Sequence, residues 1–282
     1  MATLTIDDVK NSIDYKEASR VIEAFLKEYM EAAGAEGYVV GLSGGVDSST
    51  SATLAVRAVG STRVVGLIMP DITSTPPEDV EDAKYLAKML GIKHYEVPIN
   101  SILERYTSLP FYDPSNKVAL GNVKARIRMT LLYYYANANN YLVLGTGDKS
   151  ELLLGYYTKY GDGGVDVLPI GDLYKTQVRI LAERLGVPRR IAYKPSSPRL
   201  WPGQMAEEEL GLSYEVVDVV LYAYFDLRMK PYEIPKATGI ARELVKTILD
   251  KVRVSEHKRR APPIARISRR SLGHDIRIPL HK

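Results

Sequence analysis

Gly41-Leu42-Ser43-Gly44-Gly45-Val46-Asp47-Ser48-Ser49 is the stretch of this 282-residue chain that decides the fold. It follows an apolar run at 38–40 and precedes a segment at 49–59 that is compatible with a helix. A strand, a glycine-rich turn and a helix in this order bring backbone N–H groups and a helix N-terminus to one point, which attracts anions. The two glycines let the backbone approach a ligand closely, and Ser43 and Ser48 add hydroxyl donors. The spacing and the lysine of a Walker A loop are both absent, so the stretch indicates a phosphate site of another kind.

Strands and helices alternate through the first half of the chain. Hydrophobic periodicity predicts a helix at 13–33, strands at 38–42, 63–69, 92–98 and 141–145, and helices at 48–59, 77–90 and 116–139. The runs at 64–69 and 141–144 are apolar on both faces, which is typical of strands in a parallel sheet covered by helices. We therefore expect a doubly wound α/β fold, with a mainly parallel sheet flanked by helices and a ligand site beyond the carboxyl ends of the strands.

The second half is predicted to be mostly helical, at 174–185, 213–227, 233–239 and 242–254. Loops rich in glycine or proline are expected at 155–170 and 192–204. Because no internal repeat or interdomain linker is apparent, we expect residues 1–282 to form a single domain with a basic, loop-rich tail from about residue 257.

The composition is that of an ordinary soluble globular protein, with 45% hydrophobic and 26% charged residues. No run approaches the roughly 18 apolar residues that would cross a membrane, and no secretory signal is apparent, so we expect a cytoplasmic location. The chain has no cysteine, which excludes disulfides, thiolate metal sites and cysteine nucleophiles. Its excess positive charge lies at 257–282, where eight Lys or Arg face one Asp; such a tail suggests phosphate-rich partners, either nucleotides or nucleic acid.

The pattern Ser-Gly-Gly-x-Asp-Ser at 43–48 resembles the nucleotide loop of the PP-loop ATP pyrophosphatases, which cleave ATP between its α- and β-phosphates. Further segments resemble one branch of that superfamily, the ammonia-dependent NAD synthetases. These segments are NVKARIRM at 122–129, GTGDKSE at 145–151, TKYGDGGVD at 158–166, LYKTQVR at 173–179 and EHKRR at 256–260. The resemblance runs in order from about residue 15 to residue 264. It implies an adenine nucleotide alpha hydrolase-like fold with a helical C-terminal part.

The resemblance also implies an activity, the amidation of nicotinic acid adenine dinucleotide to NAD. ATP would adenylate the nicotinate carboxylate, ammonia would displace AMP, and pyrophosphate would be released. The transition state at phosphorus requires cations around the phosphate oxygens, and the resemblance implies Mg²⁺ as the metal. Because a glutaminase would need a cysteine, ammonia would arrive free or from a partner chain.

Site residues follow from the matched motifs. The resemblance assigns catalysis to Asp47, Glu151 and Lys175, with Asp47 and Glu151 as Mg²⁺ ligands, because this cation prefers carboxylate oxygens. It assigns ATP binding to Gly41, Leu42, Ser43, Gly44, Gly45, Val46, Asp47, Ser48, Thr146, Lys175 and Ser197. It assigns the anionic dinucleotide to Arg126, Lys159, Asp166, His257 and Lys258, where basic side chains suit the substrate.

Simpler structural interpretations remain open for several residues. Asp47 could merely complement a helix dipole, and Lys149 could form a solvated pair with Glu151. Arg128 lies two positions from Arg126 on a helix and faces another way, which favours a surface ion pair. Asp162 could only shape a turn among its glycines. The tyrosine run at 133–135 is more typical of a core and an interface than of a base-stacking platform.

One departure from the family pattern lies at Met205-Ala206, where the family usually carries Thr-Asp. This acidic position belongs to the region over the reacting centre, so its loss affects the expected ammonia pocket. Glu207 or Glu208 could substitute for it. The family acts as a homodimer, and we expect the interface on the helix at 116–139, with Ile127, Leu131 and Tyr134.

Two other functions remain as alternatives. A PP-loop enzyme acting on tRNA would suit the basic tail, but the segment at 158–166 argues against it, and nucleic acid is not the expected partner. A nucleotide-binding protein without catalysis would not need the paired carboxylates Asp47 and Glu151.

Overall fold

A computed structural model describes residues 3–272, in which strands and helices alternate as far as residue 144. The first part contains α1 (Ile6–Lys10), α2 (Tyr15–Ala32), β1 (Gly37–Gly41), α3 (Val46–Val59), β2 (Val64–Ile68), α4 (Pro77–Leu90), β3 (Lys93–Glu96), α5 (Asn100–Glu104), α6 (Lys117–Asn139) and β4 (Tyr141–Leu144). The second part contains α7 (Lys149–Leu154), α8 (Lys175–Arg184), α9 (Arg189–Ala192), α10 (Ala206–Leu210), α11 (Tyr214–Leu221), α12 (Ile234–Thr238), α13 (Arg242–Val254) and α14 (Glu256–Arg259).

The four strands form one parallel sheet in the order β3-β2-β1-β4. In its register Val40 of β1 lies opposite Gly66 of β2 on one side and Leu144 of β4 on the other. The chain proceeds outward from β1 to β3 and then returns to the other side of β1 to form β4. The connections leave β1 and β4 in opposite directions, and a crevice opens beyond their carboxyl ends, where doubly wound sheets bind ligands.

Helices cover both faces of the sheet. On one face, α2, α3, α4 and α8 enclose a core that includes Leu54 and Leu86, and on the other face α6 packs Ile127 against Val39 and Val143. A further cluster joins α1, α7 and the helices from α10 to α13 around Tyr214. Each fully buried apolar side chain contributes roughly 1.5–3 kcal/mol, so these clusters hold the strand ends in fixed positions.

Helix α3 is buried although its sequence is rich in serine and threonine. Its hydroxyls return to the helix backbone: Ser49 donates to the Gly45 carbonyl, Thr50 to that of Val46 and Thr53 to that of Ser49, each at 2.7 Å. These bonds satisfy three hydroxyls that burial would otherwise leave unpaired, whereas the buried Ser51 hydroxyl has no hydrogen-bond partner among residues 3–272. The small residues can therefore pass beneath the sheet and carry the 41–49 stretch to the crevice.

The predicted doubly wound parallel sheet is confirmed, with differences in detail. The strand predicted at 92–98 covers only Lys93–Glu96 and is exposed, because it pairs with β2 alone at the edge of the sheet. The helix predicted at 213–227 ends at Leu221 and continues as a wider turn at Tyr222–Asp226, where the Leu227 N–H donates to the Tyr222 carbonyl. Periodicity did not indicate α1, α5, α7, α9 and α10, since four to six residues are too few to display it.

The dimer surface expected on α6 needs a correction. Ile127 is only 4% exposed, and Leu131 packs against the same core, because this face of α6 covers the sheet. Of the three residues expected at the interface, Tyr134 is the exposed one, at 76%. No helix within residues 3–272 is both long enough and apolar enough to cross a membrane. The part of the basic tail beyond residue 272 lies outside the described residues.

Gly44 provides a test of how the loop packs on the fold. Its φ is +75°, and a Cβ atom there would overlap the carbonyl oxygen of Asp79 in the first turn of α4. Gly44→Ala should therefore combine backbone strain of about 1–2 kcal/mol with overpacking of about 1–3 kcal/mol. Gly239→Ala is the matched control, because its φ is +74°, close to that of Gly44, but no atom lies within 4 Å of the added Cβ. Urea unfolding should show the larger loss for Gly44→Ala; equal losses would contradict the close packing on α4.

Candidate active site

A cavity of about 430 Å³ lies beyond the carboxyl ends of β1 and β4. Its lining includes the phosphate loop (residues 41–48), the end of β2 at 67–70, the neighbouring strand end at 144–146 and the glycine-rich loop at 155–165. A segment at 194–201, which we call the roof segment, forms a further wall. Helix α6 lines it with residues that include Asn122 and Arg128. Nearly all of these segments lie in the loops and helix that sequence analysis singled out.

Side-chain hydroxyls and a left-handed glycine fix the shape of the phosphate loop. The Ser48 hydroxyl donates to the Gly45 carbonyl at 3.2 Å and lies 3.1 Å from the Ser43 hydroxyl, which accepts from the Gly45 N–H at 3.3 Å. Helix α3 begins directly after Gly45, so its N-terminal N–H groups lie beside the cavity. This arrangement of donors suits an anionic group such as a phosphate. Gly41, Leu42, Val46 and Asp47 also line the cavity.

A buried ammonium group joins the phosphate loop to the loop after β4. Lys175 begins α8 and is fully buried, and its Nζ lies 2.7 Å from carboxylate oxygens of Asp47, Asp148 and Glu151. Burial alone would lower the pKa of Lys175, but the three carboxylates raise it well above its ordinary value. Lys175 does not line the cavity, whereas Asp47 and Glu151 do. The ammonium therefore holds two cavity-facing carboxylates from behind.

Asp148 is a member of this cluster that sequence analysis did not assign to the site. It is the N-cap of α7: its Oδ1 accepts from the Glu151 N–H at 2.8 Å, and its carboxylate is fully buried. Its place in the strand-end motif at 145–151 was the available signal. Burial raises the pKa of both Asp148 and Glu151, and Lys175 opposes that rise. The alternative pairing of Lys149 with Glu151 does not occur, because Lys149 pairs with Asp226 and Asp172.

Three carboxylates, those of Asp47, Asp148 and Glu151, can each direct one oxygen to a common point, because these oxygens lie within 4.8 Å of one another. In addition, Asp47 Oδ1 is buried and has no hydrogen-bond partner among residues 3–272. A set of hard oxygen ligands that includes an unpaired buried atom suits a divalent cation such as Mg²⁺.

Two further buried groups lie behind the cluster. Asp218 of α11 accepts from the hydroxyls of Ser150 and Thr176 and from the Thr176 N–H, at 2.5–2.9 Å. It thereby ties the first turn of α7 to the first turn of α8, next to Glu151 and Lys175. Burial raises the pKa of Asp218 to about 7, although these hydrogen bonds oppose the rise. The ring of Tyr214 lies 5.2 Å from Lys175 Nζ, within cation–π range.

The remaining expected ATP contacts also surround the cavity. Thr146 and Ser197 line it, and the Ser197 hydroxyl donates to the Gln204 carbonyl within the loop that follows α9. Gly44 is adjacent to the lining rather than part of it, because its backbone is packed against α4. The expected ATP residues thus form one continuous surface, with Lys175 and Gly44 supporting it from behind.

The residues expected to bind the dinucleotide are divided between the cavity and its rim. Lys258 lines the cavity and donates to the carbonyls of Gly155 and Tyr157. Arg126 donates to the Lys159 carbonyl at 3.3 Å, and Lys159 donates to the His257 carbonyl at 2.8 Å, so these three form a chain outside the cavity.

Asp166 also lies outside the cavity. It accepts from the Tyr133 hydroxyl at 3.0 Å and from the Val143 N–H at 2.7 Å, which ties it to α6 and β4. Tyr135, next in the tyrosine run, packs against Tyr95 and Tyr141.

Arg128 was expected in a surface ion pair, and this prediction was wrong. It is half-buried, lines the cavity, and donates from Nε to the Met69 carbonyl at 2.9 Å. Met129, the next residue of α6, also lines the cavity. Asp162 does shape a turn, because its Oδ1 accepts from the Thr158 N–H at 2.8 Å, and it also lines the cavity.

The three glutamates of α10 face in different directions. Ala206 lines the cavity at the position where the family usually has Asp, but neither Glu207 nor Glu208 lines it. Glu207 accepts from the Tyr214 N–H at 3.0 Å, before α11. Glu209 is the glutamate of α10 that lines the cavity, where it accepts from the Tyr156 hydroxyl and from Gln204, both at 2.7 Å. The glutamate of α10 that accompanies Ala206 at the cavity is therefore Glu209, about one helical turn beyond it.

Lys175→Met should destabilise the fold because it leaves three carboxylates without their shared cation. Breaking a buried charge cluster in this way costs about 3–5 kcal/mol. The loss should shrink as the pH falls from 7 to 5, because without Lys175 the pKa values of Asp148 and Glu151 rise further above those of the unfolded chain. The folded variant then binds more protons than the unfolded chain, so acid stabilises it.

Urea unfolding at pH 7 and pH 5, followed by circular dichroism, measures this change. Lys149→Met is the control, because it removes the ion pairs with Asp226 and Asp172 and the contact with the Tyr174 ring, all outside the Lys175 cluster, and should cost about 1–2 kcal/mol. Equal stability of the Lys175→Met variant and the unmodified protein at pH 7 would contradict the arrangement of charges.

Comparisons with known sequences identify the family. The NAD synthase family matches residues 18–262 of the chain. The NH3-dependent NAD+ synthetase of Staphylothermus marinus is 52% identical over 261 residues, which cover 93% of this chain and 94% of the relative. The protein of the same name from Hyperthermus butylicus is 56% identical over 251 residues, which cover 89% and 91%.

Solved structures agree with these matches. The NMN synthetase of Francisella tularensis superimposes with a TM-score of 0.79 at 33% identity, covering 90% of this chain and all of that one. The NH3-dependent NAD synthetase of Campylobacter jejuni, in complex with nitrate, gives a TM-score of 0.76 at 31% identity, with 90% and 100% covered. From the extent of these matches, and from the order in which its motifs surround the cavity, the chain belongs to the NAD synthase family.

Proposed function

We propose that this protein is an ammonia-dependent NAD synthetase, which uses ATP to amidate nicotinic acid adenine dinucleotide and releases NAD, AMP and pyrophosphate. The observation that carries the proposal is the meeting of the phosphate loop and the loop after β4 at Lys175, beside the cavity. Curated relatives named NH3-dependent NAD+ synthetase are 44–56% identical over most of the chain, and they support the choice of substrate. The same relatives favour a dinucleotide over the tRNA alternative.

The chemistry assigns a task to each part of the cavity. A nicotinate oxygen attacks the α-phosphorus of ATP, and the bond from that phosphorus to the bridging oxygen breaks as pyrophosphate leaves. Ammonia then attacks the carbonyl carbon of the adenylate, AMP leaves, and the new amide nitrogen loses a proton. The phosphate loop would hold the pyrophosphate through backbone N–H groups and the hydroxyls of Ser43 and Ser48. Lys175 would act from behind the cavity, where it holds the carboxylates of Asp47 and Glu151 in position.

Mg²⁺ suits the carboxylate cluster, where three negative side chains face one ammonium and Asp47 Oδ1 is unpaired. Asp47 and Glu151 would hold the cation with Asp148 beside them, and the cation would neutralise charge on the phosphates. Lys175 orients the carboxylates of Asp47 and Glu151 whether or not a cation is bound.

The dinucleotide is proposed to extend from the cavity across its rim. Lys258 lies at the cavity, and the chain of Arg126, Lys159 and His257 continues outward from it. The positive charges of Lys258, Arg126 and Lys159 suit a substrate with two phosphates. Asp166 can accept a hydrogen bond from a ribose hydroxyl or an adenine amine at the same rim.

We propose further that the protein acts in the cytoplasm as a homodimer of single-domain chains. ATP is an intracellular metabolite, which favours this location. A second copy of the chain is the proposed cover for the exposed face of α6 around Tyr134, whose side chain is 76% exposed. A dimer through this surface would bring the rim residue Arg126, on the same helix, close to the partner chain.

The activity is tested by incubating the purified protein with ATP, Mg²⁺, ammonium and nicotinic acid adenine dinucleotide, and by measuring NAD with an alcohol dehydrogenase couple. We expect NAD, AMP and pyrophosphate in equal amounts. Parallel reactions replace ammonium with glutamine, and the dinucleotide with nicotinic acid mononucleotide; both should be much slower. Faster turnover of the mononucleotide would overturn the choice of substrate, and a lack of products from every nucleotide would overturn the activity.

Asp47→Asn should decrease the formation of AMP by about 100- to 1000-fold, because it removes a carboxylate that would hold the cation which neutralises the phosphates. Its thermal unfolding midpoint should change little, since the amide retains the shape of the carboxylate at a position that is 21% exposed. Glu208→Gln is the control, because Glu208 is exposed and does not line the cavity. Unchanged turnover in Asp47→Asn would show that the carboxylate has no role in the reaction.

Tyr134→Glu should convert the protein to a monomer, because a charge buried in a subunit interface is costly to desolvate. Sedimentation velocity measures the change. Tyr232→Glu is the matched control, because Tyr232 is 66% exposed after α11 and lies far along the chain from α6. A dimer that persists in Tyr134→Glu would exclude this surface.

A further inference from the structure

The roof segment, residues 194–201, has no regular secondary structure yet forms one wall of the cavity. Its position must therefore come from contacts with the rest of the fold. One set of contacts is at α4, where Lys194 binds Asp79 and Asp82 and Arg199 binds Asp79, at 2.5–2.9 Å. These side chains are only 7–22% exposed, and their ion pairs hold the segment through its side chains rather than its backbone.

A second set of contacts is buried and reaches the backbone of the roof segment. Lys124 of α6 donates from Nζ to the Leu200 carbonyl at 2.6 Å and lies 2.6 Å from Asp71 Oδ2. The Lys124 side chain is 5% exposed, and that of Asp71 is fully buried. Ser74 donates to the Arg199 carbonyl at 2.9 Å and also contacts Asp71. Two successive carbonyls of the roof segment are thus held by one buried polar cluster.

Asp71 is itself held in place from three directions. Its Oδ1 accepts from the N–H and the hydroxyl of Thr73 and from the side-chain amide of Asn100, at 2.7–3.0 Å. Burial would raise the pKa of Asp71, but the hydrogen bonds from Lys124, Thr73 and Ser74 lower it below its usual range. Asp71 is therefore a fixed anion that orients the Lys124 ammonium toward Leu200.

The backbone of the roof segment departs from ordinary geometry at the same point. Arg199 has a φ of +52°, a left-handed conformation that costs a non-glycine residue energy unless its surroundings maintain it. Leu200 also packs closely on Gly121 of α6, where an added Cβ would lie 3.1 Å from the Leu200 side chain. Neither Lys124 nor Asp71 lines the cavity, so neither can act on a bound ligand by direct contact.

We propose that Lys124 and Asp71 form a buried positioning pair that holds the roof segment over the cavity through the Leu200 carbonyl, and so sets the affinity for ATP. The proposal rests on the proposed function for the identity of the ligand. It assigns Lys124 a task distinct from that of Arg126 and Arg128 in the same segment of α6. Those two side chains lie at the rim and in the cavity, whereas Lys124 acts through the roof segment.

The rate at which trypsin cleaves one peptide bond of the roof segment measures how mobile the segment is. Trypsin cleaves after arginine but resists Lys–Pro bonds, so Arg199–Leu200 is the sensitive bond between residues 194 and 201. The carbonyls of the two residues that this bond joins are both hydrogen-bonded, that of Arg199 by Ser74 and that of Leu200 by Lys124. A protease needs an extended, accessible backbone, so the positioning pair should protect this bond. Mass spectrometry detects cleavage there as a fragment that begins at Leu200.

The experiment compares Lys124→Met with the double variant Asp71→Asn/Lys124→Met. In the single variant we expect the KM for ATP to rise about tenfold, as for the loss of one hydrogen bond to a charged group, with a smaller change in kcat. Cleavage at Arg199–Leu200 should accelerate by a similar factor. The unfolding temperature should also fall, because Asp71 is left buried without its cation.

The double variant separates positioning from stability. Asp71→Asn removes the unpaired buried charge, so the unfolding temperature should recover, while the Leu200 carbonyl still lacks its donor. The proposal requires that the raised KM and the rapid cleavage persist in the double variant. If both return to their original values together with stability, the pair has only a structural role and the proposal is overturned.

Glu23→Gln is the matched control, because it removes an ion pair with Arg57 that joins α2 to α3, away from the roof segment. It should change neither the KM nor the cleavage of the Arg199–Leu200 bond. Proteolysis requires no turnover, so it tests the positioning pair even if the unmodified protein makes no NAD. In that case the proposed function fails, while the cleavage rates still decide the inference.

Discussion

The contact on which the rest of the site depends is the burial of one ammonium group among three carboxylates. Asp47 follows β1, Asp148 and Glu151 follow β4, and Lys175 begins a helix of the second half of the chain. Desolvating each charge alone would cost several kcal/mol, and only their close approach offsets that cost. The sheet brings the two strand ends together, and Lys175 then fixes the helical part of the chain to them. The fold and the candidate site therefore share one electrostatic requirement.

Asp79, which also lines the cavity, connects two separate parts of the chain, as Lys175 does. Its backbone carbonyl limits the space at Gly44 of the phosphate loop, and its carboxylate binds Lys194 and Arg199 of the roof segment. A residue in the first turn of α4 thus contacts both walls between which a nucleotide would lie. The contacts of Asp79 and those of Lys175 both join residues that are far apart in the sequence. The shape of the cavity therefore depends on long-range contacts as well as on local ones.

Much of the architecture could be predicted from sequence because its signals are local. The phosphate loop after β1 and the apolar strands follow from composition and periodicity, and the motif order brings Asp47, Glu151 and Lys175 into one group. Asp148 could have been found as a polar residue at a strand end. Arg128 and Lys124 could not be interpreted in this way. Helical spacing indicates which residues share a face of α6, but the packing of α6 against Met69 and Leu200 decides what they contact.

The roof segment also contains Trp201, the one tryptophan of the chain, which lines the cavity beside Leu200. The indole is half-buried, so its surroundings change if a ligand fills the cavity or if the segment moves. The chain has 20 tyrosines, but excitation at the long-wavelength edge of the indole band leaves them silent. The intrinsic fluorescence of this protein is therefore a local optical signal from one wall of its cavity, present without any label.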